Sequence, residues 1–554
     1  TGDPDRDAAV IAHFGDGASS QGDVNESFIF AASYNAPVVF FCQNNQWAIS
    51  EPIERQTRIP LYQRALGFGF PGVRVDGNDV LATYAVTQAA LNRARDGQGP
   101  TLVEAYTYRM GAHTTTDDPT RYRLSDDLER WKLKDPIARV EAYLRRNGVA
   151  DDDFFATLQQ EADDLGHRLR EGCKALPDPQ PLSIFDHVYS EMTDELVAQR
   201  DGFADYHARF RAITRLVRGS ALMAETQKTS QKITLAKGLN MGLRKAMEDD
   251  PKVLLMGEDV GKLGGVFRIT DGLQKDFGED RVIDSPLAES GIVGTAVGLA
   301  LRGYRPVVEI QFDGFVYPAY DQIVCQVAKI QFRSQGKLKM PMVIRIPFGG
   351  GIGAVEHHSE SPEAQFAHTP GLKVVACSNP VDGYWMIQQA IACDDPVIFL
   401  EPKRQYHADK AELDESATPG PLFTSRVVRS GTDATVLAYG PMVKSAMAAA
   451  EAAATEGKSL EVIDLRTLSP LDMAPVYDSV RRTGRAVVAH EAHVNLGMGA
   501  EIASRITEEC FYSLEAPVLR VGAFDTPYPP SRIEEDYLPD LDRILDAVDR
   551  SLAF

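Results

Sequence analysis

Short β-branched runs alternate with helix-length segments along nearly the whole chain. "VIAHF", "APVVFFCQ" and "TLVEAYT" form one group. "KVLLMGED", "RPVVEIQF", "MPMVIRIPF", "LKVVACS" and "PVIFLEP" form a second, and "ATVLAYG", "SLEVIDLR" and "RAVVAHE" a third. Runs that are apolar on both faces belong to strands buried on both faces, and helix-length connections make those strands parallel. The expected fold is therefore α/β, with three doubly wound parallel-sheet domains. A chain of 554 residues is also too long for one core. The expected divisions are 1–210, a linker at 211–230, then 231–412 and 427–554. "ARFRAITRLVRGSALMAETQKTSQK" has little apolar periodicity and reads as the linker, and Met223 within it can mark the start of a formerly separate polypeptide. The last boundary falls in "LDESATPGPLFTSR", rich in turn formers. "DAAVIAHFGDG" reads as a strand already inside a sheet, so the chain is expected to continue upstream of Thr1.

Charge and composition remove several function classes. A net charge of −21 leaves no basic surface for phosphate backbones or anionic lipid, so neither nucleic acid nor membrane is an expected partner. No apolar run reaches the roughly 18 residues of a membrane span. The six cysteines are scattered with no C-x-x-C pair, which suggests neither disulfide framework nor zinc site and fits a reducing, cytoplasmic location.

"HFGDGASSQGDVNESFIFAASYNAPVVFFCQNNQWAIS" sets a Gly-Asp-Gly turn and an Asn-Asn pair at the two ends of an apolar stretch. Between Gly17 and Asn44 lie 26 residues, the length of one helix plus one strand. That spacing puts Asp16 after one parallel strand and Asn45 after the next, at the carboxyl edge where doubly wound folds bind ligands. One carboxylate, one amide oxygen and a nearby carbonyl, that of Trp47, form a hard-oxygen set suited to Mg2+, which takes its remaining ligands from water and phosphate. A diphosphate completes such a site.

This pattern resembles the fingerprint of thiamin-diphosphate enzymes. The quoted segment and "YRMGAHTTTDDPTRYR" resemble the alpha subunit of the decarboxylating components of 2-oxo acid dehydrogenases. From about residue 228 onward, "GEDVGKLGGVFRITDGL", "DSPLAESGIVGTAVGLAL", "EIQFDGFVYPAYDQIV", "HHSESPEAQFAHTPGLKVV" and "EVIDLRTLSPLD" resemble the beta subunit, in the family's order. "HTTTDDPTRYR" and "EIQFDGFVYPA" resemble the branched-chain branch. The resemblance implies a transketolase-like fold: an alpha-like diphosphate-binding domain lacking its N-terminal part, a pyrimidine-binding domain and a transketolase C-terminal-like domain. It implies thiamin diphosphate and Mg2+ as cofactors, with Asp16, Asn45 and Trp47 holding the metal. It implies cofactor contacts from Gly17, Ala18, Gln43, Gln311 and Phe315. Catalytic roles fall to Glu289, against the aminopyrimidine, and to His113, His358 and Arg109. Gln43 stands where some relatives have arginine, and Phe315 where relatives have tyrosine, which keeps stacking and removes a hydroxyl.

The implied activity is oxidative decarboxylation of a branched-chain 2-oxo acid with acylation of a lipoyl group on an acyltransferase partner, by a homodimer of the fused chain. A pyruvate or acetoin dehydrogenase component is the alternative within the same chemistry. A component that only docks on the acyltransferase is the alternative from another class.

Overall fold

The computed structural model describes residues 7–186, 188, 192–217 and 232–554. Met223 and residues 218–230 of the expected linker lie outside the described residues. The chain forms two compact units: Thr1–Pro177 with Glu258–Val266 and Asp284–Ala288, and Asp178–Gly257 with Phe267–Ile283 and Glu289–Phe554.

The first unit is built on β1 (Val10–Gly15), α1 (Gly22–Ser33), β2 (Val38–Asn44), β3 (Gly72–Asp76), α2 (Val80–Arg95) and β4 (Thr101–Tyr106). The strands pair in the order β1-β2-β4-β3, all parallel, with Gly15 beside Gln43 and both Asn44 and Asp76 beside Tyr106. Alternate side chains point to opposite faces. Phe40, Cys42 and Leu102 pack with Phe28 and Ala31 of α1, while Val39, Val103 and Ala105 pack with Ala90 of α2. Both faces of the inner strands β2 and β4 are therefore covered, which explains why they read as continuous apolar runs, whereas β1, expected inside a sheet, is here an edge strand with no buried residue. Three helices follow, α3 (Ser125–Lys132), α4 (Pro136–Arg146) and α5 (Asp152–Ala175). Asp135 caps α4 by accepting from the amides of Ile137 and Ala138, and Asp151 caps α5 through Phe154.

The second unit opens with α6 (Asp194–Val217). This helix runs seven residues into the stretch that reads from the sequence as linker, because Arg211 to Val217 contains neither Gly nor Pro to stop it. Residues 178–210, expected with the first sheet, pack elsewhere. Ile184, Phe185, Leu196 and Phe203 share a core with Phe524, Tyr528, Ile533 and Tyr537. The prolines of "LPDPQP" redirect the chain there, and the aromatic cluster holds it.

Two sheets follow. The seven-stranded one uses β5 (Val253–Gly257), β6 (Val282–Asp284), β7 (Arg305–Glu309), β8 (Val343–Phe348), β9 (Lys373–Ala376) and β10 (Val397–Pro402), between which lie α7 (Leu235–Asp249), α8 (Glu289–Leu301) and α9 (Pro380–Ala392). The five-stranded one uses β11 (Arg426–Arg429), β12 (Ala434–Ala438), β13 (Leu460–Asp464), β15 (Ala486–His493) and β16 (Leu519–Ala523). Between β13 and β15, the strand β14 (Thr467–Ser469) crosses over to pair antiparallel with β9 of the larger sheet. The other antiparallel edge is β11 on β13; the pairs β7-β8, β8-β10, β9-β10, β12-β13, β12-β15 and β15-β16 are parallel. The architecture is thus α/β with parallel sheets, as expected.

Buried charge fixes the middle of the larger sheet. Arg345 on β8 has no exposed surface and donates to Glu401 on β10 at 2.7 and 2.9 Å and to Glu309 on β7 at 2.6 Å. The Tyr406 hydroxyl donates to Glu401 at 2.6 Å. Replacing Arg345 by Met leaves two buried carboxylates facing each other. We expect a loss of about 3–5 kcal/mol, seen as a melting transition lowered by roughly 10 °C. The triple variant R345M/E309Q/E401Q should recover much of it, and calorimetry that finds R345M unshifted refutes this account.

Candidate functional site

Asp16 follows β1 directly and Asn45 follows β2, so parallel pairing alone sets both at the carboxyl edge. They are tied together there: the Asn45 amide donates to Asp16 Oδ1 at 3.1 Å, and the Trp47 amide donates to Asn45 Oδ1 at 3.1 Å. Asp16 is 1% exposed, and its Oδ2 has no hydrogen-bond partner among the described residues. Burial raises its pKa to about 6, against the opposing pull of the Asn45 amide. A buried carboxylate oxygen without a donor is the feature a bound cation would satisfy. Asn45 Oδ1 and the Trp47 carbonyl each keep one lone pair for the same purpose. This donor set fits a hard divalent cation.

Gly17 opens a short 3-10 turn through Ser20. A Cβ on Gly17 would sit 2.8 Å from the Ala48 Cβ, so the turn and the loop after Trp47 approach as closely as they do only because this residue is glycine. Ala18 is half-buried in the turn, and Gln43 is exposed at the end of β2.

Arg109 is engaged in structure. It donates to the Trp47 carbonyl at 3.3 Å, the Ile49 carbonyl at 2.6 Å and the Tyr122 hydroxyl at 2.7 Å. Gln46 and Ile49 both have positive φ, 72° and 52°, and the latter is costly for a β-branched residue. Arg109 clamps that strained loop. Its own loop is held in turn: Arg123 donates to the carbonyls of Arg109 and Met110, and Asp117 accepts from the His113 amide at 2.8 Å and the Tyr122 hydroxyl at 2.7 Å. His113 is exposed, and burial of its ring edge and then Arg109 lower its pKa. Arg123, Asp117 and Tyr122 stand in "HTTTDDPTRYR" with no role that the sequence assigns; hydrogen bonds across the loop carry no periodic signal.

Behind this loop, Asp259 accepts from the amide and hydroxyl of Ser50, the amide at 2.8 Å. Glu51 is 3% exposed, and Arg55 lies 3.8 Å from it and 3.6 Å from Asp284. Asp284 also accepts from the Gly261 amide at 2.5 Å.

The remaining expected residues lie in the second unit. Glu289 opens α8 and is 4% exposed, and Gln311, two residues beyond β7, is equally buried. Phe315 lies in the 3-10 turn Asp313–Ala319, with its ring 5.1 Å from that of His358; Phe312 is nearer, at 4.4 Å. A Cβ on Gly314 would lie 2.5 Å from the His357 carbonyl, so a glycine lets this turn slide under the histidine loop. Asp313 anchors both, ion-paired to buried Lys403 and accepting from the Glu360 amide. Burial first, then Lys403, lowers the pKa of His358, whose buried Nδ1 lacks a partner among the described residues. Burial thus favours the neutral form of both histidines. Lys403, within "EPKR", reads in the sequence only as the end of a strand.

Parallel sheets flanked by helices, with a buried carboxylate at a carboxyl edge, define an α/β protein of the doubly wound type. Three family models place it further: Dehydrogenase E1 component over residues 4–167, Transketolase, pyrimidine binding domain over 231–408, and Transketolase, C-terminal domain over 424–544. The pyruvate dehydrogenase E1 component subunit beta of Leifsonia xyli subsp. xyli is 62% identical over 60% of this chain and 98% of its own length. The 3-methyl-2-oxobutanoate dehydrogenase subunit beta of Mycobacterium tuberculosis is 54% identical over 58% of this chain and 93% of its own length. The pyruvate dehydrogenase E1 component subunit beta of Acholeplasma laidlawii is 46% identical over 56% and 95%. The chain belongs to the E1 components of 2-oxo acid dehydrogenases, with an alpha-like segment fused ahead of beta-like transketolase domains. It is an oxidoreductase component, and membership implies thiamin diphosphate as its cofactor.

The carboxylate cluster behind the loop gives a pH prediction. Burial and then the Asp284 charge hold the Glu51 carboxyl well above its ordinary range, despite Arg55. Between the ordinary glutamate value and the raised one, the folded state holds a proton the unfolded chain has lost. Stability therefore falls as pH rises through that window, by up to about 1.4 kcal/mol per pH unit. Glu51→Gln removes this slope. Melting temperatures from about pH 5 to about pH 8 should decline less steeply in the variant, and parallel declines would refute the assignment.

Proposed function

We propose that the chain decarboxylates a branched-chain 2-oxo acid such as 3-methyl-2-oxobutanoate and delivers the acyl group to the lipoyl arm of an acyltransferase component. The observation that carries this reading is the bare, buried Oδ2 of Asp16 on a parallel-sheet edge in a chain of this family. Asp16, Asn45 and the Trp47 carbonyl hold Mg2+, and Gly17, Ala18 and Gln43 line the diphosphate side. When bound, thiamin diphosphate supplies the carbon nucleophile and electron sink that decarboxylation of a 2-oxo acid needs. Glu289 holds a proton at the aminopyrimidine, whose ring Gln311 and Phe315 position. His113 and His358 accept and return protons around the substrate. Arg109 keeps the His113 loop and the strained Trp47–Ile49 segment in register. Carbon dioxide leaves, one lipoyl sulfur takes the acyl group and the other a proton, so the disulfide is the oxidant.

The working unit in this reading is a homodimer in the cytoplasm, a location with which six free cysteines accord. Among the described residues, no helix is long and apolar enough to cross a membrane. "HTTTDDPTRYR" and "EIQFDGFVYPA" favour the branched-chain substrate; the 62% identity to a pyruvate dehydrogenase subunit favours pyruvate as the second reading.

Two measurements test it. Titration calorimetry should show Mg2+-dependent thiamin diphosphate binding that Asp16→Ala abolishes and Glu289→Gln keeps, with turnover in the latter falling by about 10² to 10⁴-fold. Unchanged cofactor affinity in Asp16→Ala refutes the metal site. In a panel of 2-oxo acids, kcat/KM for 3-methyl-2-oxobutanoate should exceed that for pyruvate by about ten-fold or more; the reverse order establishes the second reading.

A further inference from the structure

The loop that carries His358 begins with residues that cannot hold it in place by themselves. "GGGIG", residues 349–353, follows β8 directly, and Gly349, Gly351 and Gly353 have φ of 80°, 84° and 73°. Glycine loses more backbone freedom on ordering than any other residue and brings no side chain to pack. Ile352 and Val355, the large apolar side chains of the loop, are 38% and 53% exposed, so packing does not anchor it. The Gly349 amide donates to the Glu360 carbonyl at 2.8 Å, which closes residues 349–360 into a loop with His358 near its C-terminal end. His358 Nδ1 is buried without a partner among the described residues, so no hydrogen bond at that nitrogen sets the ring. The backbone that bears it must do so.

The acceptors for the glycine amides lie 141 to 183 residues further along the chain. Glu491, buried near the end of β15, accepts from the Gly350 amide, and its Oε2 lies 2.8 Å from Arg404. Buried Glu534 accepts from Gly351 at 2.8 Å and from Gly353 at 3.3 Å through Oε1 and 3.1 Å through Oε2. The Tyr528 hydroxyl donates to Glu534 at 2.6 Å and accepts from the Gly351 amide at 3.1 Å. Backbone amides converging on one carboxylate form a nest, the arrangement by which a main chain holds an anion. The fit is close: a Cβ on Gly350 would lie 1.8 Å from the Tyr528 hydroxyl. We propose that Glu534, with Tyr528 and Glu491, is a positioning group for His358, a clamp of carboxylates from beside the five-stranded sheet that fixes the glycine loop of the larger one. This rests on the reading of His358 as a proton carrier given above. Carboxylate acceptors suit the task, because hydrogen bonds to an ionised group are about twice as strong as neutral ones.

Hydrogen exchange and kinetics on the full chain, loaded with thiamin diphosphate and Mg2+, test the clamp. In Glu534→Ala, peptides covering residues 349–360 should exchange about ten-fold faster or more, while peptides from β15 and β16 keep the parent rate and so report that the fold is intact. With a redox dye as electron acceptor, kcat should fall by about ten- to a hundred-fold. KM for the 2-oxo acid and affinity for thiamin diphosphate should keep their parent values, because the clamp acts on His358 and not on the cofactor. Glu534→Gln, which keeps an oxygen able to accept from both glycines, should recover most of both losses. Tyr528→Phe removes one link of the same clamp, should show both losses in smaller degree, and serves where Glu534→Ala does not fold. Loop exchange at the parent rate in these variants overturns the clamp. Faster exchange with an unchanged kcat, where His358→Ala has lost turnover, overturns its positioning role. His358→Ala with the parent's turnover refutes the assignment of His358 itself, and the positioning role with it, an outcome separate from the exchange rates.

Discussion

The Asn45 amide donating to a buried Asp16 carboxylate is the contact on which the candidate site rests. It joins the ends of two adjacent parallel strands, and only parallel pairing can bring those ends to one edge. Because it satisfies a single oxygen, it leaves Oδ2 without a hydrogen bond among the described residues, although the Gln56 side chain lies close enough to lower the carboxyl's pKa. That imbalance costs stability, which a bound cation would offset. The rest of the edge serves this geometry. Gly17 permits the close approach of the turn, and Arg109 holds the carbonyls of Trp47 and Ile49 on the strained stretch.

The second unit solves the same problem with a different device. His358 is positioned by a turn that passes beneath its loop at Gly314 and by a buried Asp313–Lys403 pair that ties the turn to the end of β10. A buried pair of this kind adds little net stability, yet breaking it leaves an uncompensated charge, so it fixes position more than it lowers energy. Lys403 also helps keep His358 neutral. Arg345 has the analogous role within the sheet itself, spacing β7, β8 and β10 through two carboxylates.

What is legible in the sequence follows from periodicity and local spacing. The parallel strands, and the placement of Asp16 and Asn45 at successive strand ends, are consequences of runs and intervals that can be counted. What stays hidden depends on long-range contacts. Nothing local shows that residues 178–210 prefer the aromatic cluster around Phe524, or that α6 continues to Val217, where apolar periodicity fades into a linker-like pattern while helix propensity remains. The resemblance implies a catalytic role for Arg109; that its guanidinium donates to two carbonyls and a phenol is something no motif reveals. The partners of Asp313 and Asp259 lie 90 and 209 residues away, beyond any pattern in a window.

The same distinction explains why cofactor and substrate are known so unequally. In the proposed reading, cofactor binding depends on backbone approach, glycine at a close contact and a carboxylate at a strand end, few of which can change without loss of binding. Those positions therefore form long motifs. Acyl-chain preference depends on pocket volume, where one methylene is worth only about 1–3 kcal/mol and a few apolar substitutions suffice to shift it. Relatives that are 62% and 54% identical to this chain carry the names of two different substrates, as such a division of constraint requires.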